Sequence, residues 1–412
     1  MKRIGNIYQN ICSVDNLRLA EKKARKGKLT QPGVKQFDLN SESYILLLHE
    51  ALLNKTYKTS EYKVFKIFEP KERDVYRLPY YPDRITHHAV MNILEPMFNS
   101  VFTSDTYSCI KKKGIHGASY ALRSALKDKN ETKYCLKLDV KKFYPSVDHN
   151  VLKKLLRRKI KDLDLLWLLD EIIDSAPGLP IGNYLSQYFA NFYLTYFDHW
   201  IKESVGVKFY FRYSDDLVIL APNKEYLHKL LADIKNYLNS SLNLTVKSNY
   251  RIFPVSCGID FVGYVHYHDY VKMRKTIKQD FARAVNRNPQ SLSVPSYYGW
   301  AKHCNSKNLL KKLFMKSFSD LGIKPSAPAM EGDKIEIYQI INQQITVHGY
   351  SLKPSKFEGK GDCLYLQITY EGRKRVVFTG SGALMETIKK VPSESFPFTT
   401  IITKENKRCQ FT

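Results

Sequence analysis

Two short apolar runs, residues 207–212 and 217–220, are separated by only four residues, Tyr213-Ser214-Asp215-Asp216. Apolar, aromatic-rich runs of this length around a short polar break are typical of a β-hairpin. Adjacent aspartates within such a hairpin are costly, because like charges repel each other and buried carboxylates lose their hydration. The pair therefore indicates either an ordinary turn that keeps its aspartates in solvent or a site that requires concentrated negative charge.

A third carboxylate, Asp139, ends another predicted strand, residues 134–138. Enzymes that transfer phosphoryl groups with two metals hold the cations roughly 4 Å apart, where they activate the attacking hydroxyl and stabilise the leaving group. Hard cations such as Mg²⁺ take carboxylate oxygens as ligands. A strand end and an adjacent hairpin turn meet this need, so Asp139, Asp215 and Asp216 are candidate catalytic residues and ligands for two Mg²⁺ ions, with Mn²⁺ as a substitute.

The positive charge of the chain is unevenly distributed. The 412 residues carry a net charge of +25, of which residues 330–412, with 12 Lys+Arg against 9 Asp+Glu, contribute only +3. The remaining +22 lies on residues 1–329, and a field of this sign attracts polyanions. Nucleic acid is therefore the expected partner, with a solvated basic surface as the alternative. No membrane partner is expected, because the sequence has no apolar run of transmembrane length and no basic amphipathic anchor.

The seven cysteines are scattered along the chain, and no two of them show C-x-x-C spacing. The odd number of cysteines and their spacing argue against a disulfide framework or a structural zinc site and favour a reducing compartment. The first residues are basic but no apolar segment follows them, so secretion is not expected. The predicted location is the cytoplasm.

The rest of the sequence predicts two or three domains, since ~100–200 residues per domain is usual. Helices are expected over most of residues 1–60, after Pro82, and over residues 148–174, 183–203, 223–240 and 276–318. Strands are expected at residues 62–68 and in a series of short segments up to residue 273. Residues 322–328 are typical of a linker, and the alternating segments 335–341, 364–370, 375–378 and 399–402 predict a small, mainly β domain.

Four segments, taken together, resemble the reverse transcriptase family. Phe211-Arg212-Tyr213-Ser214-Asp215-Asp216-Leu217 resembles the Tyr-x-Asp-Asp signature, and Leu138-Asp139-Val140-Lys141-Lys142-Phe143-Tyr144 resembles the strand with the first metal aspartate. Gly178-Leu179-Pro180-Ile181-Gly182-Asn183-Tyr184-Leu185-Ser186-Gln187 is similar to the turn and helix under the templating base. Phe261-Val262-Gly263-Tyr264 is similar to the primer-grip hairpin. The segments follow the family's order and approximate spacing over residues 1 to about 320.

This resemblance implies an RNA-directed DNA polymerase with an α+β, right-hand fold, in which an antiparallel palm sheet packs on helices. It implies N-terminal helices and fingers in residues 1–132, the palm in 133–272 and the thumb in 273–321. A linker, 322–329, would then lead to the small β-rich domain of residues 330–412. The implied partners are template RNA, the cDNA/RNA duplex and deoxynucleoside triphosphates, and the implied cofactors are the two Mg²⁺ ions.

The resemblance also implies roles for single residues. Asp139, Val140, Asp215 and Asp216 would hold the metals, and Tyr144 would exclude a 2′-hydroxyl, with a palm core aromatic as the alternative. The remaining nucleotide-binding residues would be Lys71 and Arg73 in a fingers strand, Ile181, Gly182 and Gln187 near the templating base, and Lys247 near the pyrophosphate. Solvated side chains are the alternative for Lys71, Arg73 and Lys247. The primer grip would be Phe261, Val262, Gly263 and Tyr264.

Two departures from the commonest family sequence narrow the resemblance. Ile181-Gly182 and Ser186-Gln187 stand where most reverse transcriptases have Gln-Gly and Ser-Pro, and this variant resembles the enzymes of diversity-generating retroelements of bacteria and phages. Glu69-Pro70-Lys71, Pro82-Asp83-Arg84 and Gly258-Ile259-Asp260-Phe261 also resemble that group. The implied activity is error-prone cDNA synthesis, with misincorporation opposite template adenines, that diversifies a target gene. A small, basic, helical accessory protein that binds the template RNA is the further implied partner.

Isoleucine at position 181 suggests a reason for low fidelity, because an apolar contact distinguishes a misaligned nucleotide less than a hydrogen bond does. The alternative is that Ile181 only packs in the palm. Two other functions compete: a phage-defence or retron-type reverse transcriptase, disfavoured by Ile181 and Gln187, and a non-catalytic RNA-binding scaffold, disfavoured by the three aspartates. Residues 330–412 lie outside the resemblance. Binding of single-stranded nucleic acid, contact with the accessory protein and cover for the thumb all remain open for them.

Overall fold

The structure is a computed structural model that describes residues 3–68, 72–319, 330–355, 361–405 and 408–412. Its contacts divide the chain into two compact units, Met1–Leu310 and Lys311–Thr412. Each unit has its own hydrophobic core. The linker predicted at residues 322–328 lies outside the described residues.

The first unit begins with short helices, a two-stranded hairpin and two longer helices. These elements are α1 (Tyr8–Cys12), α2 (Val14–Ala24), α3 (Pro32–Asp38), α4 (Ser41–Leu53), β1 (Lys63–Ile67), β2 (Arg73–Arg77), α5 (Ile85–Val101) and α6 (Gly114–Ala125). Local chemistry sets some boundaries: the Ser13 hydroxyl accepts a hydrogen bond from the Asn16 backbone at the start of α2, and Pro32 opens α3. The helices predicted before residue 60 and after Pro82 are observed, whereas α6 has no counterpart among the predicted elements.

A four-stranded antiparallel sheet forms the centre of the first unit. In chain order its strands and the helices between them are β3 (Tyr134–Asp139), α7 (His149–Arg157), α8 (Leu163–Asp174), α9 (Tyr184–His199), β4 (Phe209–Tyr213), β5 (Asp216–Ala221), α10 (Lys224–Leu242) and β6 (Arg251–Pro254). The strand order is β4-β5-β3-β6. The hairpin predicted around the adjacent aspartates is therefore β4 and β5, and the strand that ends in Asp139 is β3.

Strand β5 is buried on both faces. Leu217 and Ile219 belong to the large core that contains helices α5 and α9, whereas Val218 and Leu220 belong to a second core with residues of α6. Successive side chains of a strand point to opposite faces, so both faces must be apolar. This is why the sequence of β5 is continuously apolar and does not alternate.

The first unit continues with a three-stranded antiparallel sheet and a series of helices. They are β7 (Ile259–Phe261), β8 (Tyr264–His266), β9 (Val271–Met273), α11 (Lys275–Arg287) and α12 (Ser293–Ala301). Helix α13 (Lys307–Ser319) follows and spans the boundary between the two units at Leu310. The helical segment predicted at residues 276–318 is thus observed as three helices. The division into fingers, palm and thumb at residues 132, 272 and 321 stays a prediction.

Among the described residues from 330 onwards, the second unit has a six-stranded sheet and an α-helix that packs on it. Its elements are β10 (Asp333–Ile335), β11 (Gln344–Pro354), β12 (Asp362–Tyr370), β13 (Arg373–Thr379), α14 (Gly382–Ile388), β14 (Phe398–Glu405) and β15 (Arg408–Phe411), and the strand order is β10-β13-β12-β11-β14-β15. The mainly β character is as predicted, but the strand predicted over residues 335–341 is wrong beyond Ile335. A turn of 3-10 helix, Ile337–Gln339, follows instead, because Glu336 and Gln339 cap each other's backbone.

Helix α14 covers one face of this sheet, where Leu384 and Ile388 join a core with Leu364, Leu366 and Ile368. Within the described ranges, no helix is both long enough and apolar enough to cross a membrane. All seven cysteines lie in these ranges as free thiols.

Candidate active site

The three predicted aspartates meet at one end of the central sheet. In the register of β3 and β5, Asp139 lies directly opposite Asp216. Tyr213 pairs with Asp216, so the hairpin turn consists of Ser214 and Asp215 alone, and Ser214 takes a positive φ of 56°. The backbone N–H of Val140 donates to the Asp215 carbonyl over 3.3 Å. The structure therefore brings together all four residues predicted to hold the metals.

A buried ion pair beside this turn holds it in place. The side chains of Arg212 and Asp198 are both fully buried, and Arg212 Nε donates to Asp198 Oδ1 over 2.7 Å. Arg212 Nη1 also donates to the Ser214 carbonyl over 3.1 Å, and the Tyr210 hydroxyl donates to Asp198 over 2.6 Å. Because a buried pair of this kind tolerates little displacement, it positions the turn. Arg212 was expected only as a member of an apolar run, and nothing in its spacing signals Asp198 as its partner.

Burial makes the carboxylates of the turn unusual. Burial raises the pKa of Asp215 well above its ordinary value and is the largest cause of this shift, and the neighbouring Asp139 raises that pKa further. Burial likewise raises the pKa of Asp216 to about 6. One oxygen of Asp139 and one of Asp216, in each case Oδ1, are buried without a hydrogen-bond partner. Buried carboxylate oxygens without a donor are the groups that a hard divalent cation satisfies, so these residues fit a Mg²⁺ site.

Two lysines neutralise the aspartates in this structure. Lys247 Nζ lies 2.6 Å from Asp139 Oδ2, and Lys137 Nζ lies 3.5 Å from Asp216 Oδ2. Among the described residues, no group of three or more His, Cys, Asp or Glu side chains converges on one metal position. The metal assignment therefore rests on the unpartnered oxygens and remains a prediction. Lys247 was predicted near the pyrophosphate, and the structure places its ammonium against Asp139.

Tyr144 lies beside the same turn. Its phenol contacts Ser214, and burial raises its pKa to about 12. The Tyr144 carbonyl accepts a hydrogen bond from Leu179 N over 2.8 Å. A Cβ at Gly178 would come within 2.6 Å of that carbonyl, and Gly178 has a φ of +61°, so only glycine allows this approach. This position next to the aspartates is compatible with the predicted gate against a 2′-hydroxyl.

The turn before α9 is attached to strand β2. The Ile181 carbonyl accepts a hydrogen bond from Tyr76 N over 2.8 Å. Gly182 has a φ of +117°, and a Cβ there would lie 2.8 Å from the Tyr76 carbonyl. Gln187 is exposed on the first turns of α9. The structure thus joins two of the predicted nucleotide-binding residues, Ile181 and Gly182, to the predicted fingers strand.

The predicted primer grip is the tight turn between β7 and β8. Phe261 pairs with Tyr264, and Val262 and Gly263 form the turn with φ values of +44° and +85°. Trp300 of α12 packs on this turn, so closely that a Cβ at Gly263 would lie 2.3 Å from its ring. The Tyr264 hydroxyl donates to the Trp300 carbonyl over 3.1 Å. The turn is therefore fixed to the helices that follow it.

Residues 69–264 match the family described as reverse transcriptase (RNA-dependent DNA polymerase). This segment is similar to the reverse transcriptase family. The match includes Asp139 at the end of β3, Asp215 in the hairpin turn and Asp216 at the start of β5. The predicted α+β fold, with an antiparallel sheet packed on helices and an additional β-rich domain, is confirmed, and the match agrees with the predicted class of RNA-directed DNA polymerase.

Two curated proteins are similar to parts of the chain. Protein YkfC of Escherichia coli (strain K12) is 24% identical over 248 residues, which cover 48% of this chain and 65% of YkfC. The group II intron-encoded protein LtrA of Lactococcus lactis subsp. cremoris is 24% identical over 137 residues, which cover 31% of this chain and 22% of LtrA. The chain thus spans less than two thirds of either relative.

Among solved structures, telomerases of two yeasts are similar to the chain at low levels. Telomerase from Candida tropicalis with a fragment of telomeric RNA is 14% identical, with a TM-score of 0.43 and coverage of 68% of this chain and 58% of that chain. The corresponding Candida albicans structure is 13% identical, with a TM-score of 0.43 and coverage of 68% and 60%. These values are too low to assign a function.

Residues 331–412, which lie outside the reverse transcriptase match, match a domain of unknown function (DUF8468). The predicted domain boundary at residue 330 stays a prediction.

Within the segment that matches the reverse transcriptase family, the structure describes only one of the two predicted triphosphate-binding cations. Arg73 is exposed at the start of β2, where it pairs with Ile67. Lys71 lies outside the described residues. The role of both side chains stays a prediction.

A cationic pocket next to strand β2 has no counterpart in the sequence analysis. It has a volume of about 270 Å³, and Lys28, Arg77, Arg84, Gly182 and Tyr184 are among the residues that line it. Burial and the nearby Arg84 lower the pKa of Lys28, and burial and Arg77 lower the pKa of Arg84. Cations that repel each other in a shared pocket are stabilised by an anion such as a phosphate. Lys28 is distant in sequence from Arg77 and Arg84, so only the fold brings it to them.

Proposed function

We propose that the chain is an RNA-directed DNA polymerase that extends a primer along template RNA with deoxynucleoside triphosphates. The observation that carries this proposal is the arrangement of Asp139 opposite Asp216, with Asp215 in the turn between β4 and β5. Phosphoryl transfer requires concentrated negative charge of this kind for its metals. The net charge of +22 on residues 1–329 supports a nucleic-acid template.

The side chains around the turn have separate tasks in this proposal. Two Mg²⁺ ions, held by Asp139, Asp215 and Asp216 with Val140, would activate the primer 3′-hydroxyl and stabilise charge on the triphosphate. Lys247 neutralises Asp139 before the cations bind, and its ammonium is then available as a proton donor to the pyrophosphate. Tyr144, held beside Ser214, would exclude a ribonucleotide through contact with its 2′-hydroxyl.

We further propose that this polymerase makes error-prone cDNA for a diversity-generating retroelement. The support is the resemblance of the Ile181-Gly182 and Ser186-Gln187 variant, together with the position of Ile181 in a turn attached to strand β2. Isoleucine cannot hydrogen-bond a nucleotide through its side chain, so a misaligned nucleotide loses less binding free energy than it would beside glutamine. A small, basic accessory protein that binds the template RNA belongs to this proposal as a partner.

A phage-defence or retron-type reverse transcriptase is the second candidate. The domain of unknown function in residues 331–412 is not explained by the retroelement proposal. The error spectrum of the enzyme distinguishes the two functions, because only the retroelement proposal predicts errors at one template base.

The test is sequencing of cDNA made from one defined RNA by wild type, Ile181→Gln and Ile181→Val, with and without candidate accessory protein. We expect wild-type errors to concentrate opposite template adenines. Ile181→Gln should lower these errors about five- to thirty-fold, the equivalent of roughly 1–2 kcal/mol from one hydrogen bond. Ile181→Val keeps the apolar contact and should leave the spectrum unchanged. Errors spread evenly over the four bases would contradict the retroelement proposal, and adenine errors unaffected by Ile181→Gln would contradict only the mechanism.

A further inference from the structure

The second unit contains a pocket to which no function is assigned. It has a volume of about 480 Å³, within the ~300–1,000 Å³ typical of ligand sites. We call it the C-terminal pocket, and its lining includes His348, Gly349, Tyr350, Gln367, Lys374 and Phe396. It lies in the part of the chain that matches a domain of unknown function.

The pocket forms where strand β11 loses one of its neighbours. Strand β14 pairs with β11 only from Gln344 to Val347, and the ladder with β12 is irregular between Val347 and Gly349. Beyond this point one edge of β11 has no partner strand among the described residues. The absence of a side chain at Gly349 leaves room there, since a Cβ at this position would meet no heavy atom within 4 Å.

The lining combines aromatic rings with polar groups. The rings of Tyr350 and Phe396 lie with their centroids 6.0 Å apart. Gly349 pairs with Gln367 across the ladder, and the side-chain amide of Gln367 is bonded to the backbone of Glu331. Lys374 Nζ lies 2.6 Å from Glu331 Oε2, and this pair is exposed. A ligand that fits this lining therefore has a flat face for the two rings and an anionic group that can compete for Lys374.

We propose that the C-terminal pocket binds an unpaired nucleobase of single-stranded nucleic acid, with the base on Tyr350 and Phe396 and its phosphate at Lys374. Bases stack on aromatic side chains irrespective of sequence, and lysines bind the backbone. A peptide that added a strand to the free edge would extend along β11 to Pro354, whereas the lining of the pocket ends at Tyr350. The compact pocket therefore fits a base better than it fits an extended peptide.

The experiment uses the full chain and twelve-nucleotide homopolymers that carry a single photoreactive base, 4-thiouridine in RNA or 4-thiothymidine in DNA. Crosslinked peptides are mapped by mass spectrometry for wild type, Gly349→Val and Gly380→Val. Valine at 349 places a branched side chain in the pocket lining, and its Cβ meets no heavy atom within 4 Å. Gly380 is the matched control, because a Cβ there also meets nothing within 4 Å and Gly380 does not line the pocket. We expect crosslinks near Tyr350 and Phe396 that Gly349→Val lowers at least ~five-fold and Gly380→Val does not change.

Three further measurements make the result decisive. The unfolding temperature of Gly349→Val establishes that the variant is folded, and Tyr350→Leu replaces it if it is not. The RNA and DNA probes show which strand supplies the base, and competition by free ATP shows whether one nucleotide is sufficient. The proposal would be overturned by crosslinks confined to residues 1–310, or by crosslinks in the second unit that neither Gly349→Val nor Tyr350→Leu lowers. It would also be overturned if a protein partner protected residues 349–354 and no crosslink to nucleic acid formed.

Discussion

Two antiparallel hairpins of the first unit pair five residues each, yet they differ in burial. We call β4–β5 the aspartate hairpin and β1–β2 the exposed hairpin. In the aspartate hairpin, Tyr210, Val218 and Ile219 have no exposed surface. In the exposed hairpin, all five residues of β1 are exposed, with Phe65 at 46%. The same local structure therefore serves as a core element in one place and as an open surface in the other.

The difference follows from what each hairpin has beside it. Strand β5 also pairs with β3, and Arg212 and Asp198 fix the turn, so the aspartates are held in one arrangement. The exposed hairpin forms a sheet of only two strands, and a sheet of this size is marginally stable on its own. Exposed apolar side chains in such a place are typical of a surface that binds a partner. We infer that the aspartate hairpin supplies fixed chemistry and the exposed hairpin an adaptable contact with substrate.

The largest effect is expected at the aspartates. Asp139→Ala and Asp215→Ala should each lower Mg²⁺-dependent primer extension at least ~1,000-fold, because metal stabilisation of the transition state amounts to several kcal/mol. RNA binding should be retained, since it depends on Lys and Arg elsewhere. The measurement is primer extension on an RNA template beside RNA affinity, with the exposed Asp233→Ala as control. Substantial synthesis by either variant would show that the assignment of these aspartates as catalytic residues is wrong.

The next effect concerns the support of that hairpin. Arg212→Ala should lower the free energy of unfolding by about 3–5 kcal/mol, because it leaves the Asp198 carboxylate buried without its partner. Arg157, whose side chain is 42% exposed, forms a 2.5 Å pair with Asp170, and Arg157→Ala should cost only ~0–1 kcal/mol. Urea unfolding of the two variants makes the comparison. The double variant Arg212→Met/Asp198→Leu should be more stable than Arg212→Ala, and equal losses in the two single variants would contradict this account.

A smaller, pH-dependent effect is expected at His87, which lines the cationic pocket behind the exposed hairpin. Burial, followed by His88 and Arg84, lowers its pKa to about 3. The unfolded chain therefore binds a proton near pH 6.5 that the folded chain binds only near pH 3, and the stability present above pH 6.5 is lost as the pH falls through this window. The loss approaches ~1.4 kcal/mol per pH unit for one proton.

His87→Leu should flatten this dependence, measured as the free energy of unfolding by urea at pH 7, 6 and 5. His228→Leu, on the exposed side of α10, is the control and should leave the slope unchanged. A slope that His87→Leu does not alter would show that other groups control the acid sensitivity of this region.

The two hairpins also show what the sequence could and could not predict. The aspartate hairpin follows from local signals, because apolar runs, a short polar break and a strand that ends in Asp139 each depend on neighbouring residues. The register that puts Asp139 opposite Asp216 depends on pairing between distant strands. The chemistry of a two-metal site and the family resemblance indicated that these aspartates meet, but neither gave the register. The partnership of Arg212 with Asp198 had no local signal at all.

The same limit applies to the surfaces. Lys28, Arg77 and Arg84 were visible as basic residues, but their convergence in one pocket depends on how α5, β2 and the helices before them pack. In the second unit, strand β11 was not predicted, because its sequence lacks a sustained alternation and contains Gly349 at an irregular point of the ladder. The C-terminal pocket and the cationic pocket therefore required the fold.

The smallest change in stability is expected in the exposed hairpin. Phe65→Ala should lower the free energy of unfolding by less than ~0.5 kcal/mol, because the ring is already 46% exposed. The matched variant Phe211→Ala, in the aspartate hairpin where the ring is 5% exposed, should lower the free energy of unfolding by about 3–5 kcal/mol.

For binding of RNA and nucleotide, the two folded variants should have the opposite order of effects. Phe65→Ala should weaken substrate binding about five-fold, the effect of one lost stacking contact of ~1 kcal/mol, measured as KM for primer extension under conditions where Phe211→Ala is fully folded. If Phe65→Ala changed stability but not KM, the exposed hairpin would be a structural element and the comparison between the two hairpins would fail.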